Sequence, residues 1–270
     1  SLQRDYSRAL DTLGRFLPVG FYYKAFYKPR GSWALWEPVI RRSAGLGVAN
    51  LQNQPGYTDK QYLFTDIAVI GAGPAGLQAA LTAADGGASV LLIDENPELG
   101  GSLNYHRFDL TGNHAENLCD ALVTAVEEHT NIRIMTQALC NGWFTDHFLP
   151  VLQGSRLYKV RASSTILATG SSEQHVVFRN NDLPGVVMCS ALERLLRLYG
   201  VAPRGPLVVL GGNDAAYRTA IDAFDAGMAV SCLVDMRAGP NDPELEAALT
   251  QRGIGLETEA TVYEANADNS

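Results

Sequence analysis

The feature that most constrains the fold is a glycine-rich turn at residues 71–76 (GAGPAG). An apolar run at residues 67–70 favours a strand before it, and residues 75–84 favour a helix after it. The first glycine permits a tight bend, the second lets a diphosphate approach the backbone, and the third allows close helix–strand packing. N–H groups at the helix start then bind the phosphates. The pattern predicts a nucleotide-binding unit; the alternative is a glycine turn that binds nothing.

A carboxylate closes the second strand of this predicted unit. Residues 88–93 are apolar and end at Asp94, 23 residues after Gly71. An acidic side chain at this place is expected to accept hydrogen bonds from ribose hydroxyls. A 2′-phosphate would face both Asp94 and Glu95, so the sequence disfavours NADP. NAD and FAD both present an ADP half, and the glycine spacing leaves the choice between them open.

Two further small-residue turns narrow the class of fold. A loop with Gly101 and Ser102 follows Asp94, and residues 165–170 (TILATG) place Gly170 after a predicted buried strand at 164–168. Between these turns, residues 148–153 and 156–161 flank a Gly-Ser pair and predict a hairpin. This order is typical of α/β flavoproteins with two dinucleotide-binding domains, of the glutathione reductase type.

A second strand–turn–helix–strand unit begins at residues 206–210, and its turn departs from the rule. Residues 211–216 (GGNDAA) place Asn213 where the second glycine belongs and Ala216 at the third position. Alanine is tolerated there, but a side chain at the second position crowds a diphosphate. We therefore expect this turn to keep the fold without a nucleotide site. The chain ends at Ser270, and the sequence predicts that the second unit is truncated.

These patterns divide the chain into three predicted regions. Residues 1–65 are an aromatic and basic arm with a linker, residues 66–188 the first dinucleotide-binding domain with a β-meander insertion, and residues 189–270 a connector helix and the second, incomplete Rossmann-like domain. Residues 1–42 carry eight basic and three acidic side chains, a net charge of +5. We expect this arm either to dock on another domain or subunit beside a flavin phosphate, or to cover its own dinucleotide fold.

Composition argues against several classes of function. The 270 residues carry a net charge of −8, which disfavours nucleic acid as a partner. The four cysteines form no CxxC pair and the five histidines have no ligand spacing, so neither a local redox disulfide nor a metal centre is predicted. Residues 67–84 are uncharged, but their glycines and proline argue against a membrane span, and we expect a cytoplasmic protein. No residue stands out as an acid, base or nucleophile.

Several strings outside the glycine turn carry a family resemblance. They are residues 20–24 (GFYYK), 36–38 (WEP), 41–42 (RR), 44–47 (AGLG), 94–95 (DE), 98–102 (ELGGS), 181–182 (ND), 184–186 (PGV) and 213–218 (NDAAYR). Through them the chain resembles the alpha subunits of heterotetrameric sarcosine oxidase, whose relatives serve proline and opine dehydrogenases. Members of that family further have an N-terminal ferredoxin-like domain and a C-terminal folate-binding domain, so the resemblance suggests a central fragment.

The resemblance implies a part in the oxidative demethylation of sarcosine, a small-molecule amine. It implies FAD on a separate beta subunit, FMN at the alpha–beta interface and NAD in the first fold of the alpha subunit, within a hetero-oligomer that includes small subunits. Its implied NAD contacts are Ala75, Asp94, Glu95, Asn96, Ser102 and Cys140. Motifs and resemblance together give the candidate cofactor contacts Gly71, Gly73, Pro74, Ala75, Gly76, Asp94, Glu95, Asn96, Gly101, Ser102, Cys140 and Gly170.

Two other functions stay open on the sequence. A self-contained reductase would hold FAD in the first fold and NAD(P)H in the second, although Asn213 and the lack of a CxxC pair count against it. A non-catalytic scaffold subunit would hold a dinucleotide only for structure.

Overall fold

The computed structural model describes residues 29–43, 45, 47, 50–52, 56–107 and 114–266. The chain divides into two compact units, residues 1–56 and 57–270. In the first unit, helix α1 spans Trp33–Ser43 and ends with the basic residues Arg41 and Arg42. Arg41 forms an ion pair with Glu37 one turn earlier, at 2.6 Å. The rest of the predicted N-terminal arm, residues 1–28, lies outside the described residues.

A six-stranded sheet opens the second compact unit. Its elements are, in chain order, β1 (Asp59–Ile70), α2 (Pro74–Asp85), β2 (Val90–Ile93), α3 (Ala115–Glu128), β3 (Ile132–Met135), β4 (Ala138–Cys140), β5 (Phe148–Gln153) and β6 (Arg156–Leu167), with 3-10 helices at Gly101–Asn104 and Thr145–His147. The strand order is β3-β2-β1-β6-β5-β4. Strands β3, β2, β1 and β6 are parallel, whereas β4, β5 and β6 form an antiparallel meander.

The first sheet has a separate core on each face. Helices α2 and α3 cover one face, where Leu77 and Val126 pack with Leu92. On the opposite face, Val151 and Val160 of the meander pack with Leu91. Leu91 and Leu92 are neighbours in β2 and point to opposite faces, as expected for a strand buried on both sides. These two cores fix the carboxyl ends of β1, β2 and β6, where the glycine turn lies.

Strand β6 is longer than the sequence predicted. The pattern indicated a strand at residues 156–161 and a separate buried strand at residues 164–168. In the structure one strand spans residues 156–167 and pairs with β1 from Asp59 opposite Arg156 to Ile70 opposite Leu167. Because β1 pairs with β6 from Asp59 onward, it begins inside residues 1–65, which were predicted to be the arm and linker. The predicted burial was also wrong at the strand end, where Leu167 is 60% exposed.

A second, three-stranded parallel sheet follows a connector helix. Its elements are α4 (Cys189–Tyr199), β7 (Leu207–Gly211), α5 (Asp214–Asp225), β8 (Val230–Asp235), α6 (Pro243–Gln251) and β9 (Gly255–Glu257), with strand order β7-β8-β9. Tyr217, Leu233 and Leu249 are buried in its core. The predicted second strand–turn–helix–strand unit is therefore present.

Within the described residues, no helix has both the length and the apolar character that a membrane crossing requires. The uncharged run at residues 67–84 is divided between the end of β1, the glycine turn and helix α2.

Candidate nucleotide-binding site

The first and third glycines of the first turn are required by the packing of the protein itself. Gly71 has a φ of +100°, a conformation that favours glycine, and a side chain there would collide with the carbonyl oxygen of Ala168 at the end of β6. A Cβ on Gly76 would overlap the carbonyl oxygen of Gly71 and lie 3.3 Å from the Cβ of Ala168. Both glycines thus let α2 start directly against the ends of β1 and β6.

The second glycine is in a different environment. A Cβ on Gly73 would have only the Cα of Gly101 within reach, at 4.0 Å. Helix α2 begins immediately afterwards with Pro74, and no side chain caps its N-terminus. The N–H groups of its first turn, including those of Ala75 and Gly76, are donors that an α-helix leaves unpaired. Open space therefore lies in front of unpaired donors, the arrangement that an anionic diphosphate needs.

A second glycine loop borders this space. The N–H of Gly100 donates to the carbonyl oxygen of Ala72 at 2.9 Å. Gly101 has a φ of +57°, and a Cβ on it would lie 2.7 Å from the Cα of Gly73, so the two loops meet backbone to backbone. Ser102 follows, partly buried, in the 3-10 helix that begins at Gly101. The predicted pairing of these two loops around one site is consistent with this geometry.

Asp94 has a structural partner that sequence reasoning missed. The residue is 8% exposed, and its Oδ2 accepts a hydrogen bond from the N–H of Ala72 at 2.6 Å. Its Oδ1 accepts from the backbone N–H and the side-chain amide of Asn96, at 2.8 and 2.9 Å. Asp94 therefore holds the glycine turn in place, whereas the neighbouring Glu95 is exposed. Of the two carboxylates, Glu95 is the more accessible to ribose hydroxyls.

Cys140 and Gly170, the two remaining predicted cofactor contacts, lie at the border of the residues described above. The N–H of Ala138 donates to the carbonyl oxygen of Asp94 at 2.9 Å, and Cys140 follows two residues later in β4. Burial raises the pKa of the Cys140 thiol, and Cys140 packs against the core on the inner face of the meander. Gly170 is exposed, two residues after the Ala168 that contacts Gly71.

At the second turn, polar groups are paired with side chains of the same strand–turn–helix–strand unit. Asn213 caps α5, because its Oδ1 accepts a hydrogen bond from the N–H of Ala215 at 3.1 Å. Asp235, which closes β8, is fully buried and accepts from the Tyr217 hydroxyl at 2.8 Å. The Arg237 guanidinium contacts both Asp235 and Asp214, at 3.0 and 2.9 Å. This geometry agrees with the expectation that the second turn lacks an open phosphate site.

A polar cluster connects the Gly101 loop with the helices of the second sheet, and no sequence pattern indicated it. The buried Glu193 of α4 accepts a hydrogen bond from the Thr219 hydroxyl at 2.8 Å, and its other oxygen lies 3.4 Å from Nε2 of His106. Burial raises the pKa of Glu193 to about 7. Burial, together with the charges of Arg218 and Arg194, lowers the pKa of His106. Both shifts favour the uncharged form of the group concerned, so burial opposes a fully ionised Glu193–His106 pair.

Metal and disulfide chemistry find no support within the described ranges. No group of three His, Cys, Asp or Glu residues is placed there to hold a metal ion. Cys119, Cys140, Cys189 and Cys232 are all free thiols.

A parallel sheet with an open glycine turn, followed by a second strand–turn–helix–strand unit, defines the class of oxidoreductases with two dinucleotide-binding domains. The family model of pyridine nucleotide-disulphide oxidoreductases matches residues 65–270, and the chain belongs to this family. The thioredoxin reductase of T. acidophilum has the same fold, with a TM-score of 0.60 and 18% identity over 76% of this chain and 67% of that chain.

The chain is also similar to subunits of a sarcosine oxidase and of an opine oxidase. It is 36% identical to the alpha subunit of sarcosine oxidase from Rhizobium meliloti (strain 1021) over 88% of this chain and 26% of that protein. It is 30% identical to an opine oxidase subunit from Agrobacterium tumefaciens (strain Ach5) over 72% of this chain and 42% of that protein. These similarities confirm the resemblance found in the sequence. The chain spans about a quarter of the length of that sarcosine oxidase subunit.

Proposed function

We propose that this chain is the dinucleotide-binding part of a sarcosine oxidase-like alpha subunit, which holds NAD at the first glycine turn. The observation that carries the proposal is the open space in front of Gly73, bordered by the uncapped start of α2 and by Gly101. Similarity to subunits of a sarcosine oxidase and of an opine oxidase supports an amine as the substrate class.

Different residues of the site contact different parts of the dinucleotide. The N–H groups of Ala75 and Gly76 donate to the diphosphate, and the bare backbones of Gly73 and Gly101 allow its close approach. Asp94 holds the turn through Ala72. The exposed Glu95 accepts from the adenosine ribose and repels a 2′-phosphate, which selects NAD over NADP.

In this proposal the chemical step takes place on a partner subunit. NAD supplies a nicotinamide ring that can accept a hydride, and the contacts above all concern its ADP half. An FAD on a beta subunit would supply the amine-oxidising chemistry, and an FMN at the alpha–beta interface would supply electron transfer. The free cysteines and the closed second turn disfavour a self-contained disulfide reductase with FAD in the first fold and NAD(P)H in the second. In the described ranges we identify no acid, base or nucleophile for the reaction.

A substitution at Gly73 tests the proposal. In the full-length protein with its co-purifying subunits, Gly73→Val places a side chain in the diphosphate space. The structure leaves room for the Cβ, so the fold should survive. We expect NAD affinity, measured by calorimetry, to fall at least 100-fold with an unchanged circular dichroism spectrum.

The matched control is Asn213→Val at the same position of the second turn, which should leave NAD binding unaltered. Chromatography of the cofactor released from the wild type identifies the ligand. A folded Gly73→Val protein that keeps stoichiometric NAD would contradict the proposed site, and FAD released from this chain would replace NAD in the assignment.

A further inference from the structure

The meander has an outer face that nothing in the described structure covers. Along β6, Tyr158 and Val160 point inward into the core, so Lys159 and Arg161 point to the opposite side. The same alternation in β5 buries Val151 and turns its neighbours outward. We call the outward side of β1, β6, β5 and β4 the outer meander face.

Large apolar side chains are exposed on this outer meander face. Phe64 is 77% exposed, Tyr62 62%, Leu139 44% and Leu152 37%. Their register places them on one side of the sheet: Tyr62 lies opposite Lys159 in the β1–β6 pair, and Leu139 lies opposite Leu152 in the β4–β5 pair. Single exposed apolar residues are ordinary, but a group of them on one sheet face, here on β1, β5 and β4, marks an interaction site.

Cations lie within the apolar patch. The Lys159 Nζ is 5.2 Å from the centre of the Tyr62 ring and donates to its hydroxyl at 3.4 Å. The Arg161 guanidinium is 4.8 Å above the Phe148 ring. The carboxylate near Arg161 is that of Asp146, 4.0 Å away with a side chain 83% exposed, which is a weak pair. The patch is therefore apolar and positive on a chain whose net charge is −8.

We propose that the outer meander face binds an acidic, apolar surface of a partner protein, namely another subunit of the proposed hetero-oligomer. The inference rests on the proposed function, in which the chain works within a multi-subunit enzyme. Charge complementarity favours an acidic partner over two other occupants. A second copy bound through the same face would bring Lys159 and Arg161 near their own equivalents across a two-fold axis. The other alternative occupant is the predicted N-terminal arm. Residues 1–42 carry a net charge of +5, so the positively charged face would repel them.

The test uses the full-length protein and its co-purifying subunits, separated and recombined. The variants are Lys159→Glu with Arg161→Glu, and Tyr62→Ser with Phe64→Ser. The matched control is Arg204→Glu with Tyr263→Ser, which changes one exposed cation and one ring that is 78% exposed, both outside the face. Circular dichroism and NAD affinity verify that each variant is folded.

We expect each face variant to weaken the association of the subunits at least tenfold, while the control double variant associates normally. The wild-type affinity should fall as salt is raised, and the charge-reversed variant should lose that dependence. Hydrogen exchange at residues 60–64 and 157–161 should slow on association.

Two outcomes would overturn the inference, and a third would overturn only the proposed function. If all variants assemble like the wild type and bind NAD, the proposed function stands and the face is not the interface. If the variants instead convert a homodimer into a monomer, the occupant is a second copy. If NAD binding is absent in the wild type while the subunits still assemble through this face, the proposed function fails and the interface remains.

Discussion

The two glycine turns of this chain share one framework and differ in what satisfies their polar groups. At the first turn no side chain caps α2, and Gly73 faces open space. At the second turn Asn213 caps α5, and Arg237 neutralises the buried Asp235. The first turn can receive an external anion, whereas the second is satisfied by its own residues. The glycine pattern thus predicts the framework, and the side chains around it decide whether a ligand is needed.

The largest expected loss of stability comes from a substitution at the third position of the first turn, compared with the same position of the second. Gly76→Ala forces a Cβ onto the carbonyl oxygen of Gly71, so we expect a loss of roughly 3 kcal/mol in the free energy of unfolding and no NAD binding. Ala216→Gly at the matched position should cost only about 1 kcal/mol, because it lowers helix propensity. Urea unfolding of both variants measures the contrast. Equal costs would mean that the two turns are packed alike.

A smaller effect is expected at the residue after the third position, which is Leu77 in the first turn and Tyr217 in the second. Tyr217→Phe removes a donor to the buried Asp235, whose contacts with Arg237 remain. We expect a loss of about 1–2 kcal/mol in the free energy of unfolding, with NAD affinity at the first turn unchanged. Thermal unfolding and calorimetry measure the two quantities. A change in NAD affinity would show that the turns are coupled.

The smallest effect is expected at the second position. Asn213→Gly restores the glycine pattern and removes a helix cap, which should cost a few tenths of a kcal/mol. No second NAD should bind when the first site is filled, because Arg237 still engages both Asp214 and Asp235. Calorimetry with saturating NAD checks this. A stoichiometric second binding event would show that Asn213 alone closes the turn.

The local sequence pattern was sufficient to predict the strands and helices around both turns. Glycine at positions 71, 73 and 76, an apolar strand before them and an acid after the next strand predicted the first unit, and the structure contains it. Asn213 led us to expect a crowded phosphate position at the second turn, and in the structure its side chain caps the helix. These signals were readable because each depends on residues within one strand–turn–helix–strand unit.

What the sequence by itself determined is therefore the order of strands, turns and helices and the difference between the two turns. The tertiary structure decided the partners of the charged groups: Asp94 with Ala72, Arg237 with two carboxylates, and Glu193 with Thr219 and His106. It also joined the two predicted segments of β6 through pairing with β1. These contacts bring together residues that are distant in the chain or whose geometry depends on packing, and no periodicity or motif encodes which charged side chain will meet which partner.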